Sequence, residues 1–211
     1  MATESDRPTI ASLIRAGVLD AELAALLWLL GEGGVPITVA SADDATGRAD
    51  VRAALDDLVP SSGPRPVAVS GGSLSEVLAR SSRRSLPMLS GPAPREEPVA
   101  TGIVLVLAEG RVTAGHYVRP PLRDAAGHVR RQGPAVLATR DEAGGRFDHF
   151  AWGIYPELAE RTGQRAGDFE REHGERTEYL AALAASGVHG HDEVRRALHG
   201  YRHRAGVRHD H

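Results

Sequence analysis

Residues 36–58 read PITVASADDATGRADVRAALDDL, and the order of residue types within them decides the fold. Pro36-Ile37-Thr38-Val39-Ala40 is a short β-branched run, and a small, polar loop follows. From Gly47 to Leu58 the apolar residues Val51, Leu55 and Leu58 recur at i, i+4 and i+7 until Pro60 stops the helix. Strand, loop and helix in that order make a βα unit, the building block of α/β proteins with parallel strands.

Upstream, Thr9–Ala16 and Ala21–Leu30 have helical spacing, with Gly17 and the glycines of 31–34 as stops. Downstream, Pro60 to Ala100 carries seven of the 13 prolines and nine serines, so most of it reads as linker. Within it, Pro66–Val69 suits one brief strand and Ser73–Arg80 one short helix. From Ile103, IVLVLA, the turn Glu109-Gly110-Arg111 and the alternating VTAGHYV read as a β-hairpin. A second meander is expected through Val129, Val136–Thr139, a Gly144-Gly145 turn and Phe147–Phe150. Pro156, Gly163, Phe169, Leu180, Leu183 and Gly187 mark two further helices, and the last runs from about His191 to Tyr201 with Val194, Leu198 and Tyr201 facing inward. The expected division is 1–60, a helical lead-in with the βα unit; 61–100, linker; 101–150, β meander; and 151–211, helical with a His-rich tail.

Composition closes several functional classes. The chain has 211 residues, 25 basic and 28 acidic, ten His, no Cys, and no Lys, so every cation is Arg. Thiolate chemistry, disulfides, Schiff bases and a phosphate-loop lysine are therefore excluded. A net charge of −3 argues against general attraction to nucleic acid or acidic membranes. The apolar stretches are too short to span a bilayer, and Met1–Pro8 lacks the features of a signal peptide, so a soluble, cytoplasmic protein without direct membrane insertion is expected.

The strand–loop–helix corner is where a G-x-x-x-x-G-K-[ST] phosphate loop would sit. Its eight positions read Ala42-Asp43-Asp44-Ala45-Thr46-Gly47-Arg48-Ala49, and only Gly47 keeps its signature residue. Ala42 restricts the backbone wrap, Arg48 replaces an ammonium by a larger planar head, and Ala49 has no hydroxyl for Mg²⁺. Asp43 and Asp44 would each cost on the order of 1–4 kcal/mol against a phosphate about 4 Å away. From these residues alone an ordinary strand–loop–helix corner is the plainer reading; Ala42, Thr46, Gly47, Arg48 and Ala49 are the residues a vestigial phosphate loop would comprise.

With that corner in view, LIRAGVLDAELAALLWLLGEGGVPITVASADDATGRADVRAALDDLVP resembles the start of the motor domain of type II/type IV secretion ATPases. TRDEAGGRFDHF and PELAERTGQRAGDFEREHGERTEYLAALAASGVHGHDEVRRALHGYR resemble the carboxyl-terminal part of the archaeal-type branch, and the likeness covers roughly residues 9–60 and 101–205. The resemblance implies a partial RecA-like, P-loop NTPase core with a β meander and a helical carboxyl-terminal subdomain. It also implies a family chemistry of Mg²⁺-dependent ATP hydrolysis in hexamers that drive secretion or pilus assembly. The chain departs from that pattern where hydrolysis needs it. The family's acidic strand should precede an A-T-x-H-A-x-S motif, whose nearest match is Val67-Ala68-Val69-Ser70-Gly71-Gly72-Ser73, and no room for that strand exists between Pro60 and Val67. The family's amino-terminal domain has no counterpart before Thr9. An alternative alignment makes Glu109 the water-activating acid and Ala138–Asp141 the later motif.

The expectation is a non-catalytic, secretion-ATPase-like interaction subunit, without bound cofactor or metal, whose partner is a full-length homologue, another secretion component or a second copy. Residual ATP binding is one alternative. A His-tail metal binder is another, because His199 and His203 stand at i and i+4 among six histidines in the last 23 residues, although a solvated tail is the plainer reading. Arg195, Arg196, Arg202, Arg204 and Arg208 read as a polar outer helix face. Asp148 and His149 lack the G-x-S-x-G of a hydrolase, and Trp28 and Trp152 are expected in the core.

Overall fold

The computed structural model describes residues 7–42, 45–84, 101–123, 128–130, 132–141, 145–188 and 190–209. Asp43, Asp44, Gly144, His189, His211 and the Pro/Ser-rich positions 85–100 lie outside them. The chain is mixed α/β: β1 (Ile37–Ser41), β2 (Val67–Ser70), β3 (Gly102–Ala108), β4 (Arg111–Val118), β7 (Ala135–Arg140) and β8 (Phe147–His149) form one open sheet in the order β2-β1-β3-β4-β7-β8. β1 pairs in parallel with both β2 and β3, and the remaining three pairings are antiparallel. β5 (Leu122–Arg123) and β6 (Val129–Arg130) make a separate ribbon, so Val129 does not extend the meander as expected.

The parallel half follows from the βα pattern. β1 is buried along its whole length, as a central strand should be. α3 (Ala45–Asp56) connects it to β2, and α4 (Leu74–Arg84) begins the return to β3 on β1's other side. Right-handed crossovers that step away from β1 and then back past it place their helices on opposite faces. The side chains sort accordingly: Val51, Leu55 and Leu58 join Ile37, Val39 and Leu105 in the larger core, while Val77 packs with Ala40, Val104 and Val106 in the smaller. α3 starts two residues before Gly47, because nothing in Ala45-Thr46 resists helix.

The antiparallel half starts with the two-residue turn Glu109-Gly110, both residues at positive φ (49° and 73°), which matches the strand twist. At the start of β3, Gly102 has φ +112°, and a Cβ there would stand 2.3 Å from the Pro36 carbonyl oxygen, so only glycine lets β3 dock beside β1.

α1 (Ile10–Arg15) is closed by a reciprocal Thr9–Ser12 capping box, and α2 (Ala21–Glu32) is capped by Asp20, whose carboxylate accepts from the Leu23 N–H. Every residue from Leu23 to Gly31 is buried. α2 therefore lies between the sheet and the carboxyl-terminal helices α5 (Tyr155–Arg161), α6 (Ala166–Ala185) and α7 (His191–His209). Trp28 is fully buried against Tyr179 of α6 and Tyr201 of α7. Trp152, by contrast, is 71% exposed: the short 3-10 turn Ala151–Ile154 anchors itself through Ala151 and turns the indole outward, so the expected second core tryptophan is a surface residue. α7 also continues past Tyr201 to His209. No helix among the described residues is long and apolar enough to cross a membrane.

Gly102→Ala should lower the unfolding free energy by about 2–4 kcal/mol, combining left-handed strain with overpacking. Gly133→Ala, where no atom lies within 4 Å, should change it by less than about 0.5 kcal/mol. Urea denaturation of the two variants measures both.

Candidate functional site

The crevice to inspect is at the carboxyl ends of β1 and its parallel neighbours, where the strand order reverses and α/β sheets bind ligands. β1 ends at Ser41 and α3 begins at Ala45, so three residues make the connection. Thr46, Gly47, Arg48 and Ala49 stand in the first turns of α3, and Ala42 is exposed at the strand end. The sequence placed all five at one corner, and the structure brings the β2 end to the same place: Gly71 N–H donates to the Ser41 carbonyl at 2.9 Å.

Arg48 is the telling residue. Its Nη1 donates to the carbonyls of Ser41 (2.8 Å) and Val69 (3.1 Å), with Ser70 Oγ at 3.5 Å. The charge that an anion would require is thus directed to the final carbonyls of β1 and β2, and it holds two parallel strands together where their ladder ends. Gly72 approaches so closely that a Cβ on it would stand 3.0 Å from Ala42 Cβ, which brings the β1–α3 and β2–α4 connections into contact. Glu76 Oε2 accepts from Gly72 N–H, which places a carboxylate at that contact. A magnesium-bound triphosphate does not fit these residues: the cation is engaged, Ala49 offers no oxygen, and the two loops meet. Asp43 and Asp44 lie outside the described residues.

Glu109, the acid of the alternative alignment, is exposed in the β3–β4 turn, and β4 separates β7, which carries Ala138, from β3. It is a turn residue.

Two clusters escaped sequence reasoning. His149 does not sit in a triad: its Nε2–H donates to Asp20 at 2.7 Å, and Glu22 Oε1 is 3.6 Å from its Nδ1. Burial pushes its pKa down, but the hydrogen bond to Asp20 and the charges of Asp20, Glu22 and Asp148 outweigh burial and raise it. Nearby, His173 Nε2–H donates to the Glu22 carbonyl at 3.0 Å, which leaves Nδ1 of the neutral ring to accept from the Tyr155 hydroxyl at 2.7 Å. Burial holds His173 below its ordinary value, helped by His149 and opposed by the Glu22 carbonyl and the charges of Glu22 and Asp20. Burial, with Glu22 and Glu170, pushes Tyr155 up to about 12. All these groups join α2 to β8, α5 and α6. Asp20 also caps α2, and its partner lies 129 residues away, beyond the reach of any local pattern.

The second cluster lies at the other end of α2. Glu32 accepts from Trp28 Nε1 (2.7 Å) and Arg202 Nε (2.6 Å), and its second oxygen is 2.7 Å from Arg176 Nη1, which also meets Glu172 through Nη2. Arg202 additionally donates to the carbonyls of Asp57 and Leu58. Arg202 is therefore an inward ion-pair residue, a correction to the outer-face reading, because the helix turn that brings Tyr201 inward brings it too. His191 is likewise no tail residue: it is buried with Nε2 3.1 Å from Asp57 Oδ2. His199 and His203 are exposed. Among the described residues, no group of three or more His, Asp or Glu side chains is arranged to hold a metal ion.

No family model matches the chain, and no curated protein matches it. The functional reading therefore rests on the residues themselves.

Arg48→Ala should destabilise the fold by about 1.5–3 kcal/mol, the range for hydrogen bonds from a charged donor, and Arg48→Lys should recover less than half of that loss, since the shorter, more strongly hydrated ammonium does not place a donor where Nη1 stands. Thermal or urea unfolding reads this. In a histidine NMR titration, His149 should have its midpoint above the ordinary imidazole range and His173 below it. The signs for stability follow. The raised His149 contributes fully at pH below its unfolded value and loses that contribution as pH rises through its folded value. The lowered His173 contributes fully above its unfolded value and loses that contribution as pH falls through its folded one.

Proposed function

We propose that this chain is a secretion-ATPase-like protein, a RecA-like motor remnant that has exchanged nucleotide chemistry for a role as an interaction subunit of a secretion or pilus machine. The observation that carries the reading is the Arg48 guanidinium at the lysine position, spent on the carbonyls of Ser41 and Val69. A motor needs that cation on the terminal phosphates, so a chain that uses it as a strand-end strut has given up the reaction and kept the corner.

Two further features support the reading. The parallel β2-β1-β3 unit has the strand–loop–helix order that the family resemblance implies, and residues 57–66 between α3 and β2 hold no acidic strand. β2 is also an edge strand carrying exposed Val67 and Ala68, with neither a charge nor a proline within it to blunt pairing. Such an edge suits addition of a partner strand, from an intact homologue or from another component of the machine. A cytoplasmic setting accords with that role.

Titration of the full chain with a fluorescent ATP analogue and Mg²⁺ should show no saturable binding in the micromolar range, and a phosphate-release assay no turnover. Co-expression with a longer homologue carrying G-K-[ST] should give a stable complex. Magnesium-dependent hydrolysis by the purified chain would overturn the proposal in favour of an active ATPase.

A further inference from the structure

α7 runs unbroken from His191 to His209, with Val194 and Leu198 fully buried and Tyr201 packed against the same core. The opposite face is open to solvent, and it carries His199 and His203 one helical turn apart, both exposed. We propose that these two imidazoles form a chelate for a borderline divalent transition ion such as Cu²⁺, Ni²⁺ or Zn²⁺.

Side chains at i and i+4 of a helix lie about 6 Å apart at Cβ, and imidazole nitrogens bind such ions at about 2.0–2.1 Å, so one ion can bridge the pair without backbone movement. The obstacle in the sequence is the density of arginines around the pair. The structure directs part of it away from the pair, most clearly Arg202. Arg195 Nε lies 3.9 Å from Asp57, Arg196 Nε donates to the Asp192 carbonyl at 3.2 Å, and Arg202 is held by Glu32 and two carbonyls on the inner side. Arg204 Nη1 would stand 3.5 Å from a Cβ on Gly200. The helix therefore presents both imidazoles outward and holds Arg202 on its inner side.

Two nitrogen ligands leave the rest of the coordination shell to water or to a group from another molecule, so the site is an open one. Bound metal would also clamp the last turns of α7, where Gly200 otherwise lowers helix propensity. The inference is independent of the nucleotide reading, and neither stands or falls with the other.

The test uses the untagged full chain and Cu²⁺ alone, titrated at about pH 7.5 in a weakly coordinating buffer. One ion per chain is expected, with two imidazole nitrogens in its pulsed EPR spectrum. His199→Ala and His203→Ala should each weaken binding by at least about tenfold while circular dichroism confirms an unchanged fold. The double change His209→Ala with His211→Ala should leave binding intact. Affinity undiminished by either single change, a single coordinated imidazole, or loss of the ion in the His209/His211 double variant would each refute the chelate.

Discussion

A helix that is apolar on every side can persist in water only if something covers every side, and α2 is such a helix. Leu23, Leu26, Leu27, Trp28, Leu29 and Leu30 are all at most 2% exposed. At about 1.5–3 kcal/mol per large side chain, their burial rivals the net stability of a whole domain, which is about 5–15 kcal/mol. The architecture follows from that requirement. The sheet covers one side, where a Cβ on Gly115 of β4 would stand 3.5 Å from Leu23 Cδ1. α6 and α7 cover the other through Tyr179 and Tyr201. Gly31 brings Val59 and Ile37 against α2's final turn. The amino-terminal helices and the carboxyl-terminal helices, distant in sequence, thus share one core with the sheet.

Polar contacts then fix how the pieces meet, and in a chain without lysine they are made by arginine. Arg48 joins the ends of β1 and β2. Arg140 donates to carbonyls of Gly17 and Val18 in the α1–α2 turn, of Val112 in β4 and of Gly145. Arg202 ties α7 to the end of α3, and Arg15 ties α1 to carbonyls of Ala184 and Val188. Arg48 and Arg140 each serve carbonyls on separate segments, a task suited to a planar head with fixed donors rather than to a mobile ammonium. The two His149/His173 links at the start of α2 complete the seam.

Much of this fold was legible because it is local. The βα unit at 36–58, the helices of Thr9–Ala16 and Ala21–Leu30, the Glu109-Gly110 turn and the brief strand and helix between Pro66 and Arg80 all rest on period, stops and turn residues a few positions apart. The unread parts are long-range. Nothing near Trp152 reveals that the turn carrying it faces outward, nothing near His191 reveals Asp57, and Arg202 looked solvated because its partner Glu32 lies 170 residues away. At the corner, residue types alone raise the expectation of a poor phosphate loop, and only the three-dimensional structure shows where the Arg48 charge goes.

That destination gives the corner a structural job. A cation at this position without carbonyl partners would be free to meet an anion. Here the same charge holds the sheet together at its parallel end, and releasing it would expose the carbonyls of Ser41 and Val69. A high-resolution crystal structure of the full chain grown with millimolar magnesium and a non-hydrolysable ATP analogue tests this most directly. The account requires Arg48 still bonded to both carbonyls and no phosphate density at the start of α3. A triphosphate seated there, with Arg48 swung onto it, would contradict it.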